Sequence, residues 1–357
     1  MEKLFSVLKR PSRLDDYGKE EPKGISWYFT STRGAIKLLH AAGVTYTIIF
    51  CFLVCLSSVF LGLPLVFEDS PNALFIAQIV MVYIWICIES NFLLIRYRAQ
   101  NSHVIQSSGV LPINRIGKSS LNDWRNANNS GRGENNGIPS SDWKKCSHCD
   151  FDVPPRARHC SICRTCVLKK DHHCFFTGCC VGFHNQRYFI TFCVYGIIGG
   201  TWGLYNLGTY LSTFYYPILS LQIYNYFLPV CVVKTMLGYT SVVNFLLVFL
   251  FYLHITSTAT SLYYFGWQMF IISRGQTSYE CMKRKKVYAA DFWSHMRSIF
   301  GRNWIIGFIL PVPFIVNEGD GVHWDTHSKY SWEVKLQNFT LVIFIVVSFW
   351  LFEIFTI

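Results

Sequence analysis

Residues 171–180 read DHHCFFTGCC, which places an Asp, two His and three Cys within ten positions of an otherwise apolar chain. Upstream stand CSHC at 146–149 and HCSICRTC at 159–166, so eight of the fourteen cysteines fall between Cys146 and Cys180. Thiolates and imidazoles are the usual donors of structural zinc sites, and a thiolate left off the metal is a nucleophile. Three Cys-x2-Cys steps occur: 146/149, 160/163 and 163/166. Each step lets two thiolates reach one zinc at about 2.3 Å from a tight turn. The segment has few long apolar residues, so metal must supply much of its folding energy, roughly 10–16 kcal/mol apparent for a structural zinc.

Two closed tetrahedral sites need eight donors. Cys163 cannot serve two separate metals, so it pairs with Cys160, and Cys166 joins the other ion. The economical solution is interleaved: Cys146, Cys149, His159 and Cys166 on one zinc, and Cys160, Cys163, His173 and Cys180 on the other. His148, His172, Cys174 and Cys179 are then surplus. Spacing alone leaves open which cysteines are left over.

The elements that must position this cluster are apolar. Only 15% of the 357 residues are charged and 51% are hydrophobic, against about 25% charged in soluble domains. Four runs, 36–60, 73–95, 189–214 and 242–271, are long enough for a hydrocarbon core of roughly 30 Å. The first begins too deep in the chain for a cleaved signal peptide. A further apolar run, 339–357, carries Glu353 and reads either as a fifth span or as a segment lying on the bilayer or the other helices. The oily stretch 217–233 is broken by Gln222, Asn225 and Pro229, so a lumenal or interfacial segment is expected there.

Lys and Arg set the expected orientation. Residues 1–37 carry eight, 98–187 thirteen and 274–335 nine, whereas 61–72 carries none and 215–241 only Lys234. By the positive-inside rule the amino terminus, the 98–188 loop and the 274–338 tail face the cytosol. The net charge of +11 then lies against anionic headgroups, and no nucleic-acid partner is needed to explain it. In reducing cytosol the clustered Cys read as metal ligands or nucleophiles rather than disulfides. The scattered ones, such as Cys51 and Cys193, read as small apolar residues. Residues 107–141, rich in Asn, Ser and Gly, read as a flexible linker. Glu89, inside a span, is expected to make an interhelical hydrogen bond, and His148 and His184 to be solvated. No internal repeat is found.

The cluster resembles the cysteine-rich domain of the DHHC-type protein S-acyltransferases. That family shows Cys-x2-Cys, P-x-R-x2-HC-x2-C-x2-C-x4-DHHC, then C-V-G and N-x3-F. Here Cys146–Cys149, Pro154, Arg156, His159–Cys160, Cys163, Cys166, Asp171–Cys174, Cys180–Gly182, Asn185 and Phe189 stand in register. Beyond the fourth span, Thr277-Ser278-Tyr279-Glu280 is similar to the family's T-T-x-E motif. Phe300-Gly301, Asn303-Trp304 and Leu310-Pro311 are similar to its C-terminal aromatic motif. Phe175-Phe176 replace the usual Pro-Trp, Val153 stands where a basic residue is common, and no Asp-Pro-Gly follows the second span.

The resemblance implies roles for the surplus. Cys174 takes a fatty acyl group, palmitoyl, from acyl-CoA and yields it to a substrate cysteine. His172, two residues earlier, can share one side of an extended backbone with Cys174 and act as base, with Asp171 orienting it. His173 points the other way, toward zinc. Arg156 is the candidate for the phosphates of coenzyme A. Cys179 is an unused thiol. The small residues Gly196, Gly199 and Gly200 of the third span serve helix packing or an acyl cavity.

The expected architecture is an α-helical polytopic membrane protein with four transmembrane helices, a candidate fifth at the carboxy terminus, and a cytosolic zinc-binding cysteine-rich domain. Its expected parts are a cytosolic amino terminus (1–35), helices 1–2 (36–95), a linker (96–142), the cysteine-rich domain (143–188), helices 3–4 (189–271), a cytosolic segment (272–338) and the apolar end (339–357). The expected function is protein S-acylation at the cytosolic face of an endomembrane, Golgi or ER rather than plasma membrane. Two structural zinc ions serve as cofactors. The partners are long-chain acyl-CoA (palmitoyl-CoA), membrane lipid and cysteine-containing membrane-associated proteins. The alternatives are a zinc-stabilised membrane scaffold or a divergent, weakly active family member.

Overall fold

The structure, a computed structural model, describes residues 32–104, 143–284 and 292–301, with Ile306, Asn317, 319–322 and Trp324. Expectations for the amino terminus before 32, the linker 107–141, the Asn303-Trp304 and Leu310-Pro311 motifs and the run 339–357 fall outside these residues.

Helix α1 (Thr32–Ser57) continues through a π-helical turn, Ser58–Gly62, into a last helical turn at Leu63–Val66. Helix α2 (Pro71–Ala99) opens on a proline, whose missing N–H costs nothing in the first turn, and closes on Arg96 and Arg98, which suit the negative end of its dipole. Helices α3 (Gln186–Phe214) and α5 (Val242–Ser273) flank the short α4 (Leu228–Met236). Helices α6 (Ser278–Met282) and α7 (Phe292–Phe300) follow.

Among the described residues four helical stretches are long and apolar enough to cross a membrane: Arg33–Val66, Pro71–Ser102, Gln186–Phe214 and Val242–Ser273. They contain the four apolar runs of the sequence. Residues such as Phe75, Ile79, Leu246 and Phe249 point outward and are exposed, as in helices that are apolar all round and meet lipid. The stretch between α3 and α5 forms a 3-10 turn, Leu221–Tyr226, and the nine-residue α4. Neither is long enough to span. A helix rises 1.5 Å per residue, so α3, at 29 residues, is about 44 Å long and outruns a core of roughly 30 Å. The start of α3 meets the cysteine-rich unit: its Tyr188 and Phe189, with Ile95 of α2 and Tyr264 of α5, pack with Cys174 and Val181.

The cysteine-rich unit is made of short hairpins. Strands β1 (His103–Val104), β5 (Thr165–Val167) and β4 (Arg158–Cys160) form one antiparallel sheet in the order β1-β5-β4. Strands β2 (Lys144–Lys145) and β3 (Asp152–Val153) form a second, and β6 (His172–Cys174) and β7 (Cys179–Val181) a third. The apolar core of the unit is a small group around Val104, Val153, Ala157, Leu168, Phe183 and Val322. So small a core fits a unit whose folding leans on metal.

Candidate functional site

Two groups of side chains converge in this unit: Cys146, Cys149, His159 and Cys166, and Cys160, Cys163, His173 and Cys180. Within each group the ligand atoms all lie within 4.8 Å of one another. Both are built alike. A Cys-x2-Cys turn supplies two thiols, closed by Asp150 N–H to Cys146 O at 2.8 Å in one and by Arg164 N–H to Cys160 O at 2.6 Å in the other. Asp150 and Arg164 both adopt positive φ. A cross-strand His–Cys pair completes each set, His159 opposite Cys166 and His173 opposite Cys180. Two ligands at 2.3 Å and tetrahedral angles stand about 3.8 Å apart. Cys149–Cys166 at 3.8 Å, Cys163–Cys180 at 3.6 Å and Cys163–His173 Nδ1 at 3.3 Å fit that spacing. The donor sets suit tetrahedral Cys3His metal sites.

The β6–β7 hairpin divides its chemistry between two faces. Side chains alternate along a strand, and His173 with Cys180 turn toward the second metal group. His172, Cys174 and Cys179 share the opposite face, Cys174 lying directly across from Cys179. This is why the doublet Cys179-Cys180 separates: only Cys180 joins a metal group, while Cys179 Sγ rests 3.5 Å from Thr177 Oγ1.

Asp171 sits at the base of the hairpin, 5% exposed. Its Oδ2 accepts from His172 Nδ1 at 2.8 Å and from Gln268 Nε2 at 2.7 Å, and its Oδ1 accepts from the Ser278 N–H at 2.7 Å. Burial works against its charge, but these donors, His172 foremost, bring its carboxyl down to about 2. Burial also opposes charge on His172, yet Asp171 and then Cys174 hold it up at about 9. The ring packs against Phe189 and lies parallel to Tyr264. With Nδ1 given to Asp171, the buried Nε2 has no hydrogen-bond partner among the described residues, and it shares its face with the Cys174 thiol. Burial pushes the Cys174 thiol up, but His172 outweighs it and the pKa falls below the usual thiol value. The arrangement is that of a thiol, an imidazole and an orienting carboxylate.

The hairpin turn, 175–178, is clamped from two helices. Arg96 of α2 donates to Thr177 O at 2.6 Å. On α1, a Cβ added to Gly43 would stand 2.5 Å from Phe175 O, so only glycine lets the turn approach so closely. Also on α1, His40 Nε2 meets His173 Nε2 at 2.8 Å and the rings stack. Asn185 ties the other strand down, accepting from Gly182 N–H at 2.7 Å and donating to Cys180 O and Ile95 O.

Thr277-Ser278-Tyr279-Glu280 forms a capping box on α6, in which Thr277 N–H also donates to Glu280 Oε2 at 2.8 Å. Glu280 takes a bidentate pair from Arg156, whose Nη2 also reaches Gly275 O and whose guanidinium lies 4.5 Å from the Trp324 ring. The Arg156 side chain is only 3% exposed. Arg156, the candidate for the phosphates of coenzyme A, is thus held in a buried ion pair, the partner that a desolvated guanidinium needs. His184 is half-buried rather than solvated, and burial lowers its pKa to about 4. His148 is exposed, and its ring stacks on His159. Glu89 Oε1, expected in an interhelical hydrogen bond, is buried without a partner among the described residues.

Cys174 lines a cavity of about 250 Å³ that opens among α1, α2, α3 and α5, walled by Tyr46, Cys51, Ile84, Phe192, Cys193 and Tyr264. Tyr46 O–H and Ser257 Oγ hydrogen-bond at 2.7 Å between α1 and α5. Gly196, Gly199 and Gly200 belong to this wall. A Cβ on Gly199 would meet Ile84 at 2.9 Å and one on Gly200 would strike Thr258. The glycines thus bring α3 close to α2 and α5, and their Cβ positions face the neighbouring helices.

Residues 140–285 match the family model described as DHHC palmitoyltransferase. That match identifies the DHHC-type protein S-acyltransferase family across the segment holding both metal groups, α3, α5 and α6. No curated protein matches the chain.

Three residues of the site carried no signal in the sequence. Gln268 and His40 are polar residues within apolar helices, and Gln186, which donates to Gln268, stands between Asn185 and Arg187 at the start of one. Only packing brings them to Asp171 and His173.

Proposed function

We propose that the chain is a membrane-embedded protein S-acyltransferase that carries a palmitoyl group on Cys174 from acyl-CoA to cysteines of membrane-associated proteins. The observation that supports it is the Cys174 thiol lining an apolar cavity while sharing a hairpin face with an Asp171-oriented imidazole.

His172 Nε2 takes the Cys174 proton. The thiolate attacks the thioester carbonyl of acyl-CoA, the bond from the acyl carbon to the coenzyme A sulfur breaks, and the departing thiolate takes up the proton from His172. The acyl chain lies in the cavity while coenzyme A stays in the aqueous phase. A substrate thiol then gives its proton to His172 and attacks the acyl carbon, the bond to Cys174 breaks, and His172 returns that proton to the Cys174 sulfur. Asp171 holds the imidazole in the tautomer that leaves Nε2 free. Zinc, held by Cys146, Cys149, His159 and Cys166 and by Cys160, Cys163, His173 and Cys180, supplies folding energy and fixes the hairpin.

In this reading the amino terminus, the cysteine-rich unit and the segment after α5 face the cytosol, in an endomembrane such as Golgi or ER. Exposure of the purified protein to clickable acyl-CoA tests the proposal. Wild type should take up hydroxylamine-sensitive label, and Cys174→Ser should keep its zinc and take up none. A zinc-loaded wild type that never labels would return the chain to the scaffold reading.

A further inference from the structure

Both Gln268 and Gln186 are buried, at 0% and 2% exposure, and at opposite helix ends: Gln268 in the last turns of α5, Gln186 in the first turn of α3. A buried amide is costly unless its donors and acceptor are used. Here the bonds run in series. Gln186 Nε2 donates to Gln268 Oε1 at 2.9 Å, and Gln268 Nε2 donates to Asp171 Oδ2 at 2.7 Å. The direction is set by the carboxylate. Ionised Asp171 can only accept, so Gln268 must turn its NH2 toward it. Its carbonyl oxygen then faces Gln186, which must supply a donor.

We infer that Gln268 and Gln186 form a buried amide relay that positions the Asp171 carboxylate for His172. The inference rests on the acyl-transfer reading above and adds two positioning residues to it, neither of which touches the acyl group. Asp171 Oδ2 carries both the Gln268 and His172 bonds, while Oδ1 carries, among the described residues, only the Ser278 amide. Three donors fix the plane of a carboxylate whose terminal torsion is otherwise broad. With Gln268 gone, the oxygen facing His172 loses one of its two donors. The carboxylate is then free to turn, and the imidazole loses the partner that holds Nε2 toward Cys174. Gln186 acts one step back, by keeping the Gln268 amide from flipping its oxygen toward the carboxylate.

The competing role for such a pair is simple adhesion between α3 and α5, since amides also join helices in membranes. The near-isosteric variants Gln268→Met and Gln186→Met and their double mutant separate the two. Each is scored per folded, zinc-loaded molecule for autoacylation rate and for KM toward palmitoyl-CoA. A hydrogen bond to a charged group supports a loss of about tenfold or more in rate for Gln268→Met, and a loss of about threefold for Gln186→Met. KM and zinc content should stay at wild-type values. Because the two act in series, Gln186→Met should add nothing to Gln268→Met.

An unchanged rate per folded molecule in Gln268→Met overturns the relay. So do independent, additive losses in the double mutant, or a loss confined to stability or to KM. Should Gln268→Met not fold, Gln186→Met decides by the same readout, because its amide reaches Asp171 only through Gln268. Cys174→Ser is run alongside. If it still labels, the acyl-enzyme reading itself fails; if it is silent while Gln268→Met matches wild type, only the relay fails.

Discussion

Arg156 and Glu280 meet across 124 residues of chain in a buried bidentate pair, Nε to Oε1 at 2.9 Å and Nη2 to Oε2 at 2.8 Å. Glu280 also closes the capping box with Thr277, and the next residue, Ser278, gives its N–H to Asp171. The segment after α5 is thus tied to the cysteine-rich unit and, through it, to the candidate catalytic carboxylate.

Removing one partner of a buried ion pair leaves an uncompensated charge and costs about 3–5 kcal/mol. Glu280→Gln should therefore lower the thermal midpoint of the detergent-solubilised protein sharply and reduce autoacylation with it. A wild-type midpoint would mean that Arg156 is free for another partner, such as a coenzyme A phosphate.

The metal groups and the separation of His172 from His173 were legible because ligand spacing and strand alternation are local. The four candidate spans were legible because length and apolar composition are enough to mark them. The Arg156–Glu280 pair was not legible, because a charge count does not show which carboxylate will be buried beside a guanidinium. His184 was misjudged because burial by neighbouring helices leaves no mark at one position. The pairing of Gln268 with Asp171 spans 97 residues, and no periodicity encodes it.

Metal content separates the two adjacent thiols. Cys180 belongs to a metal group and Cys179 does not. Elemental analysis should find two zinc ions per chain in wild type and in Cys179→Ser, and about one in Cys180→Ser, which should also be markedly less stable because metal binding is folding energy. Equal zinc in the two variants would contradict the assignment.

His184 predicts an acid sensitivity. Burial, with Arg98 second, lowers its pKa from 6.5 to about 4. Between those values the unfolded chain binds a proton that the folded chain refuses, so stability falls as pH falls through that window. Melting curves should show His184→Gln losing less stability than wild type between pH 7 and 5. Parallel losses would remove His184 from the account.

The cavity wall predicts a division among substitutions. Cys51 lines the cavity, so Cys51→Phe fills part of it and should shift preference toward shorter acyl chains. Two excluded CH2 groups, at about 0.8 kcal/mol each, change discrimination roughly tenfold. A Cβ on Gly200 meets Thr258 instead, so Gly200→Leu should lower transfer at every chain length. Competition between acyl-CoAs of different length reads both, and the reverse pattern would contradict the assignment of these walls.

The central claim is that Cys174 carries the acyl group. Purified wild-type protein incubated with palmitoyl-CoA should gain one palmitoyl mass, lose it to neutral hydroxylamine, and yield a tryptic fragment with the modification on Cys174. Modification on Cys179 or Cys193 with Cys174 bare, or a full adduct in Cys174→Ser, would contradict the account.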